Sequence, residues 1–260
     1  MSRVIALVSG AEAREFDTDL PYLSRALGDR GIITEVVDWD NSAVDWSRYS
    51  MAIVRSPWDY HRRYPEFLAW LDAVSSATTL QNSAEIIRWN TNKEYLDELV
   101  DAQIGIVPTT FVRSAEDLVT ITNEGMLERD IVVKPTISAG SNNTERHEES
   151  PVKAAAHLGF LLDAGFVAMV QPYQRFIDER GETGMVYFNG QLSHSFRKGA
   201  ILATGENIKN GLFTVEEITP RTASGQEREL GETVMTFVKK KFGEYPLYAR
   251  VDVVRGSAGV

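Results

Sequence analysis

The chain has 260 residues, and its 27 basic and 37 acidic side chains give a net charge of −10. This acidic balance argues against nucleic acid or a membrane surface as a partner, and the absence of cysteine excludes disulfides, thiolate nucleophiles, iron–sulfur clusters and cysteine-based zinc sites. The four histidines are too scattered to form a metal motif. Without a signal peptide or an apolar run near the ~18 residues of a membrane span, a cytoplasmic protein is predicted.

Over residues 1–82, short apolar runs alternate with segments of helical spacing. The runs at residues 4–8, 34–37 and 51–54 have the length and composition of buried strands. One apolar helical face is formed by Leu20, Leu23 and Leu27, and another by Phe67, Trp70, Leu71 and Val74. Because strands that alternate with helices pair in parallel, this part is predicted to be an open parallel α/β domain.

Residues 83–172 are predicted to form a linker helix and a small lid domain. The helix is expected over residues 92–102, capped by Asn90 or Thr91. Its buried face is predicted to comprise Tyr95, Leu96, Leu99 and Val100. Strands are expected at residues 107–112, 131–135 and 167–170, with helices that begin near Ser114 and Ser150.

Residues 173–260 are predicted to form a mostly antiparallel sheet domain. Asn189-Gly190, between apolar runs at residues 185–188 and 191–196, predicts a hairpin with a type I′ turn. No period is evident over residues 199–225. A helix is then marked by Leu230, Val234, Phe237 and Val238, and residues 247–254 alternate as a last strand.

Charged residues at strand and helix ends are the candidates for chemistry. Lys134 ends a buried strand before a small polar loop, which suits polyphosphate binding, although an ordinary surface lysine remains the alternative. Lys93 opposes the dipole of its predicted helix, a conflict that a bound anion would remove, and a plain exposed lysine is the alternative. Asp252 lies inside an apolar strand, where a carboxylate is costly unless it is paired. It is interpreted either as a metal ligand or as the salt-bridge partner of Arg250. Alternation places Arg197 and Lys198 on opposite faces of their strand.

A second candidate region follows the third strand of the N-terminal domain. Ligands of open α/β sheets bind beyond the carboxyl ends of strands, so Arg55 and Ser56 are predicted to hold a substrate. The alternative is that Trp58 and Tyr60 only pack a domain interface. The chain has no Walker motif, no G-x-G-x-x-G fingerprint and no G-x-S-x-G elbow, which argues against a Rossmann oxidoreductase and a serine hydrolase.

Seven short motifs occur in an order that resembles the ATP-grasp superfamily, in its glutathione-synthetase-like branch. They are NTNK at 90–93, GIVPT at 105–109, VVKP at 132–135 with SAGS at 138–141, VQPY at 170–173, GET at 181–183, FRKG at 196–199 and ARVD at 249–252. RSPWDY at 55–60 and RWNTNK at 88–93 further resemble a subgroup that includes a D-cycloserine-forming cyclo-ligase, which closes O-ureido-D-serine. The resemblance implies an α/β protein of the ATP-grasp fold.

The resemblance also implies roles for individual residues. Lys93 and Lys134 would contact the α- and β-phosphates of ATP, and Arg197 would neutralise the transferring γ-phosphoryl group with Lys198 beside it. Asp252 would ligate Mg²⁺. The remaining nucleotide contacts would come from Ser138, Ala139, Gly140 and Ser141 over the triphosphate, Gln171, Pro172 and Tyr173 at adenine, Asp178 at the ribose, and Glu182.

The implied reaction is an ATP- and Mg²⁺-dependent carboxylate–amine ligation through an acylphosphate, with release of ADP and phosphate. The substrate is expected to be small and amino-acid-like, and the protein to be a possible homo-oligomer. Intramolecular ring closure of the D-cycloserine type is one alternative, and a nucleotide-binding regulatory module without ligase activity is another. A second acidic metal ligand is expected beyond Val260, because the turn at residues 255–259 leads into the family's next strand.

Overall fold

The computed structural model describes residues 4–200 and 217–256 of the chain. The chain folds into two compact units, Met1–Trp89 and Asn90–Val260. The boundary between the units therefore falls at residues 89–90, and the division into three domains with bounds after residues 82 and 172 stays a prediction. Residues 201–216 of the predicted aperiodic segment, and the end of the turn at 257–260, lie outside the described residues.

The first unit is built on a four-stranded parallel sheet of order β2-β1-β3-β4. Its elements are β1 (Val4–Ser9), α1 (Leu20–Gly28), β2 (Ile33–Asp38), β3 (Met51–Ser56), α2 (Tyr64–Ala77) and β4 (Leu80–Gln81). Phe67, Trp70, Leu71 and Val74 of α2 are buried against the sheet, as their helical spacing predicts. The parallel α/β arrangement predicted for this part of the chain is confirmed.

The second unit contains two antiparallel sheets. The first, called the lid sheet here, has the order β5-β8-β6-β7 and packs against α5 and α6. Its elements are β5 (Thr110–Val112), α5 (Ala115–Asn123), β6 (Ile131–Pro135), β7 (Glu145–His147), α6 (Pro151–Asp163) and β8 (Ala168–Pro172). The predicted strand at 107–112 begins only at Thr110, because Pro108 has no backbone N–H for a ladder.

The other sheet of this unit, called the C-terminal sheet, has the order β11-β10-β9-β12. After α7 (Phe176–Arg180), its elements are β9 (Glu182–Phe188), β10 (Gln191–Lys198), β11 (Ile218–Pro220), α8 (Gly225–Phe242) and β12 (Tyr248–Val253). The φ angles of Asn189 and Gly190 are +49° and +77°, as a type I′ turn requires. The short strand β11 was not predicted from the sequence.

The helix predicted over residues 92–102 is instead two helices, α3 (Ala84–Thr91) and α4 (Tyr95–Asp101). Asn90 and Thr91 end α3 and do not cap α4. The break occurs because the backbone N–H of Lys93 donates to the carbonyl of Thr136 at 3.0 Å, a contact with a distant loop. Val100 is 53% exposed, so its predicted inward position is wrong. Among the described residues, no helix is both long and apolar enough to cross a membrane.

Candidate active site

One face of the C-terminal sheet carries a chain of ion pairs. Lys198 is a direct cross-strand partner of Glu182, and Asp252 pairs with Gly184 two residues further along β9, so the three side chains share a face. Lys198 Nζ lies 3.5 Å from Glu182 Oε2 and 3.7 Å from Asp252 Oδ2. Arg250 adds two hydrogen bonds of 2.8 Å to the carboxylate of Asp252. Asp252 therefore forms the salt bridge with Arg250 that is one of the two roles considered for it from the sequence.

Lys134 of the lid sheet lies near the same ion pairs of the C-terminal sheet. Burial lowers its pKa, the carboxylate of Glu182 opposes this effect, and the charge of Lys198 adds to it. These interactions require Lys134 on β6 to face the strands β9 and β10. Tyr95 of α4 also lies at this place, since burial and the charge of Asp252 raise its pKa. Residues from both sheets of the second unit therefore meet at one site.

Arg197 does not lie on this face. It is the cross-strand partner of Thr183, whose hydroxyl donates to the buried Glu227 of α8 at 2.8 Å. Its Nε donates to the carbonyl of Arg180 at 3.0 Å, and its guanidinium approaches Glu217 at 3.4 Å. Because alternate residues of a strand point to opposite faces, the buried Lys198 faces Lys134 and Arg197 faces away. This position does not support Arg197 as the group that neutralises the γ-phosphoryl.

Lys93 holds the loop that follows β6. Its Nζ donates to the carbonyls of Ser138 at 3.0 Å and Thr136 at 3.3 Å. Within the loop, the Ser138 hydroxyl donates to the carbonyl of Asn142 at 2.9 Å, while Gly140 and Ser141 both adopt left-handed φ angles. The loop is made of tight turns, and turns can present successive backbone N–H groups to an anion. The predicted phosphate loop, residues 138–141 with Ala139, is thus adjacent to Lys93 and Lys134.

Side chains of the segment predicted to contact adenine, residues 171–173, are held by contacts with neighbouring residues. Gln171 donates to the hydroxyl of Thr109 at 2.7 Å, and Pro172 is exposed. The Tyr173 hydroxyl donates to Asp178, and the guanidinium of Arg146 lies 3.5 Å from the centre of the Tyr173 ring. Burial, followed by the bond to Asp178, raises the pKa of Tyr173 to about 12. Asp178 stays about half exposed, so a ribose hydroxyl can reach its carboxylate.

The two predicted substrate residues of the first unit differ in accessibility. Ser56 is completely buried and its hydroxyl lies 2.9 Å from that of Ser9, so it cannot reach a ligand at the surface. Arg55 is half-buried and donates to the buried Asp17 at 3.0 Å, while its Nε has no hydrogen-bond partner among the described residues. Only Arg55 of the pair stays a candidate for substrate contact.

The donor set of the second unit fits a triphosphate with Mg²⁺. Four cations and two carboxylates are connected by ion pairs or by electrostatic interactions with the next member, leaving an excess of two positive charges. The members of this set, called the phosphate cluster, are Lys93, Lys134, Lys198, Arg250, Glu182 and Asp252. Carboxylate oxygens are the protein ligands that Mg²⁺ prefers, and Asp252 is about one-third exposed. The excess positive charge suits a polyanion, because ammonium and guanidinium groups are phosphate ligands.

The two groups that sequence reasoning missed here are Arg250 and Arg146. Arg250 was considered only as the structural partner of Asp252, although the Arg-x-Asp spacing on a strand already puts both on one face. Arg146 carries no local signal, since its contacts with Asp130 and Tyr173 join three separate segments.

We expect ATP binding to be accompanied by proton uptake above pH 8. Burial, with a smaller contribution from Lys134, lowers the pKa of Lys93 to about 8. At pH 9 the free lysine is therefore largely neutral, and a bound triphosphate would raise its pKa and recharge it. Calorimetric titration of ATP at pH 9, in buffers of different ionisation enthalpy, should show an uptake of up to one proton. ATP affinity should fall as the pH rises from 8 to 10.

The control for this prediction is Lys93→Met, in which the share of the proton uptake due to Lys93 should disappear. The phosphate groups of ATP do not account for such uptake at pH 9, because the last ionisation of a phosphate lies near pH 6. A wild-type binding enthalpy that is independent of the buffer at pH 9 would contradict the assignment of Lys93.

Comparisons with known proteins find relatives over nearly the whole chain. A family model described as D-cycloserine synthetase DcsG, N-terminal domain, matches residues 5–82. The cycloserine biosynthesis protein DcsG of Streptomyces lavendulae is 33% identical over 263 residues, covering 98% of this chain and 87% of that protein. The crystal structure of D-cycloserine synthetase DcsG matches with a TM-score of 0.88 and 32% identity, covering 98% of this chain and 88% of that one.

A more distant match shows the shared fold. The ATP-grasp RimK domain protein of Sphaerobacter thermophilus has a TM-score of 0.65 at 15% identity, covering 99% of this chain and 88% of that one. The resemblance stated from the sequence motifs is confirmed by these matches. The chain belongs to the ATP-grasp family, in the group that resembles D-cycloserine synthetase, and is an ADP-forming ligase that joins a carboxylate to an amine.

Proposed function

We propose that this ligase activates the carboxylate of a small amino-acid-like substrate as an acylphosphate, at the phosphate cluster of the second unit. The observation that carries the proposal is the convergence of Lys134 from the lid sheet with Lys198, Arg250 and Asp252 from the C-terminal sheet. Such a site concentrates positive charge where a triphosphate and a carboxylate, both anions, have to approach each other.

In the first step, a carboxylate oxygen attacks the γ-phosphorus and the bond to the leaving ADP oxygen breaks. Lys93, Lys134 and the loop at residues 138–141 hold the phosphates, with adenine beside Gln171 and Tyr173. Asp252 would hold Mg²⁺ with Glu182 nearby, and a bound Mg²⁺ supplies charge neutralisation at the phosphoryl oxygens. Lys198 and Arg250 are the cations of the C-terminal sheet that can neutralise charge on the transferred group.

In the second step, a nitrogen attacks the acyl carbon, the carbon–oxygen bond to phosphate breaks, and the nitrogen loses its proton. No nucleophilic side chain is needed, which agrees with a chain that has no cysteine. Within this reaction class we infer intramolecular ring closure, in which a nitrogen of the substrate itself, such as that of an O-ureido-D-serine, is the attacking group. The support is the similarity to D-cycloserine synthetase over nearly the whole chain.

The experiment that tests this function is product analysis with ATP, Mg²⁺ and O-ureido-D-serine, without a second amine. Stoichiometric ADP, phosphate and a cyclic product support ring closure, while ADP and phosphate formed only after an amine is added support intermolecular ligation. Release of AMP and pyrophosphate would contradict acylphosphate chemistry. ATP binding without turnover of O-ureido-D-serine, with or without an added amine, would contradict this substrate.

We expect Arg55→Ala to raise the KM for the acid substrate roughly 10–100-fold, because a charged hydrogen bond to a carboxylate contributes roughly 1.5–3 kcal/mol. The KM for ATP should stay unchanged. Since removal of Arg55 leaves the buried Asp17 unpaired, Arg55→Lys is the companion variant, with a smaller rise in KM. Arg62→Ala removes an exposed arginine of the same unit and is the matched control. A folded Arg55 variant with the wild-type KM would mean that Arg55 does not contact the acid substrate.

A further inference from the structure

A second cluster of polar side chains lies between β7 and α6 at the edge of the lid sheet. Glu145 and His147 alternate on β7 and therefore point to the same face, and His157 reaches them from α6. His147 Nε2 lies 3.1 Å from His157 Nδ1, and the carboxylate of Glu145 lies 3.8 Å and 3.9 Å from these two nitrogens. Both histidines are buried, and Glu145 is about one-third exposed.

These distances match the edges of a small coordination polyhedron. Zinc binds imidazole nitrogen and carboxylate oxygen at about 2.0–2.2 Å in tetrahedral geometry, which corresponds to edges of roughly 3.3–3.5 Å between neighbouring ligand atoms. The three observed distances lie within about half an ångström of that range. Small side-chain rotations are thus enough to bring all three ligand atoms to bonding distance from one ion.

Packing alone does not account for this pair of histidines. The two rings share one hydrogen bond, formed by the same nitrogens that face Glu145, and the backbone of Asn143 also interacts with His157. The carboxylate of Glu145 is too far from both nitrogens for a hydrogen bond, so in the described part of the chain this buried polar group is held together by a single neutral hydrogen bond. Burial also lowers the pKa of both rings, which favours the neutral form that binds metals.

We propose that Glu145, His147 and His157 bind a divalent transition metal ion, with Zn²⁺ as the best match to two imidazoles and one carboxylate. The three protein ligands leave one position for water. None of them belongs to the phosphate cluster, so the site is separate from the proposed Mg²⁺ ligand Asp252. The exposed edge of Glu145 provides access from solvent.

The site has a structural consequence for the nucleotide loop. β7 is a three-residue strand at the sheet edge, and it follows directly after the loop that Lys93 holds. An ion shared between β7 and α6 fixes the C-terminal end of that loop to the core of the lid sheet. The metal is therefore a positioning element of the lid and is not assigned a part in catalysis.

In the test, the full chain is first freed of metal by a chelator. It is then titrated with Zn²⁺ in a buffer that contains excess Mg²⁺. We expect one Zn²⁺ per chain with a Kd at or below about 1 μM, and Co²⁺ in its place should show the visible absorption of a four-coordinate site. No thiolate competes, because the chain has no cysteine. His147→Gln and His157→Asn should each weaken Zn²⁺ binding by at least about 100-fold, and Glu145→Gln by about 10-fold.

The matched controls are His194→Asn, which removes the exposed histidine of β10, and Asp252→Asn, which removes the proposed Mg²⁺ ligand. Both should keep the wild-type stoichiometry and affinity for Zn²⁺. Glu145→Gln keeps the proposal testable if a variant of a buried histidine does not fold. Absence of Zn²⁺ binding to the wild type, unchanged binding in Glu145→Gln and the folded histidine variants, or its loss in Asp252→Asn would overturn the proposal.

Discussion

Replacing Asp252 with asparagine is expected to lower kcat by about 10²–10³-fold, the size of effect seen when a group that stabilises transition-state charge is removed. The substitution preserves the shape of the side chain and its place on β12, but it removes the negative charge that a divalent cation needs. The Mg²⁺ concentration that gives half of the maximal rate should also increase. The steady-state rate, measured as a function of Mg²⁺ at saturating ATP, is the quantity to compare.

The same substitution should not weaken the binding of ATP in the absence of Mg²⁺. Without the carboxylate of Asp252, the excess of positive charge in the phosphate cluster increases from two to three, since Lys198 and Arg250 lose their shared partner. A free polyanion is then bound at least as tightly as by the wild type. This separation of turnover from nucleotide binding distinguishes loss of a metal ligand from general damage to the site.

Two variants complete this experiment. Asp101→Asn changes an exposed aspartate at the end of α4 and should leave the rate unchanged. Asp252→Glu keeps the charge but displaces it by one methylene group, so an intermediate rate is expected. If Asp252→Asn turns over within about threefold of the wild type with the same Mg²⁺ dependence, Asp252 does not hold the metal.

The elements that local pattern determines were predictable from the sequence. The apolar runs of β1 and β3 indicate strands that are buried in a parallel sheet. Asn189 and Gly190 predict their turn because both residue types readily adopt the positive φ angles that a type I′ turn needs. The single helix expected over residues 92–102 failed for the opposite reason. Its interruption depends on a hydrogen bond between Lys93 and Thr136, 43 residues apart in sequence, and no local pattern carries that information.

The candidate site shows the same division. The alternation of side chains along β10 correctly predicts that Arg197 and Lys198 lie on opposite faces of the strand. Which of the two lies near Asp252 is determined only by the pairing of β10 with β9 and of β9 with β12. The histidines of the proposed zinc site are ten residues apart and lie on a strand and a helix. Such a spacing resembles no local metal motif, and the ligand set exists only once α6 is packed on the lid sheet.

Lys134→Met is expected to weaken ATP binding by roughly 10–100-fold, because one charged hydrogen bond contributes about 1.5–3 kcal/mol. Methionine keeps most of the length of the lysine side chain, and it places an apolar group where burial already lowers the pKa of the lysine. The variant should therefore fold with a stability equal to or above that of the wild type. Calorimetry or a fluorescent-nucleotide competition assay measures the affinity.

A linked effect makes this prediction specific to the site. The charge of Lys134 is one of the two causes that lower the pKa of Lys93, so its removal should raise the pKa of Lys93 above about 8. The fall of ATP affinity with increasing pH should then begin at a higher pH in Lys134→Met than in the wild type. Lys240→Met, at an exposed position of α8, should show neither change. An affinity within about threefold of the wild type, with an unshifted pH dependence, would mean that Lys134 does not contact the phosphates and that the nucleotide lies elsewhere on the second unit.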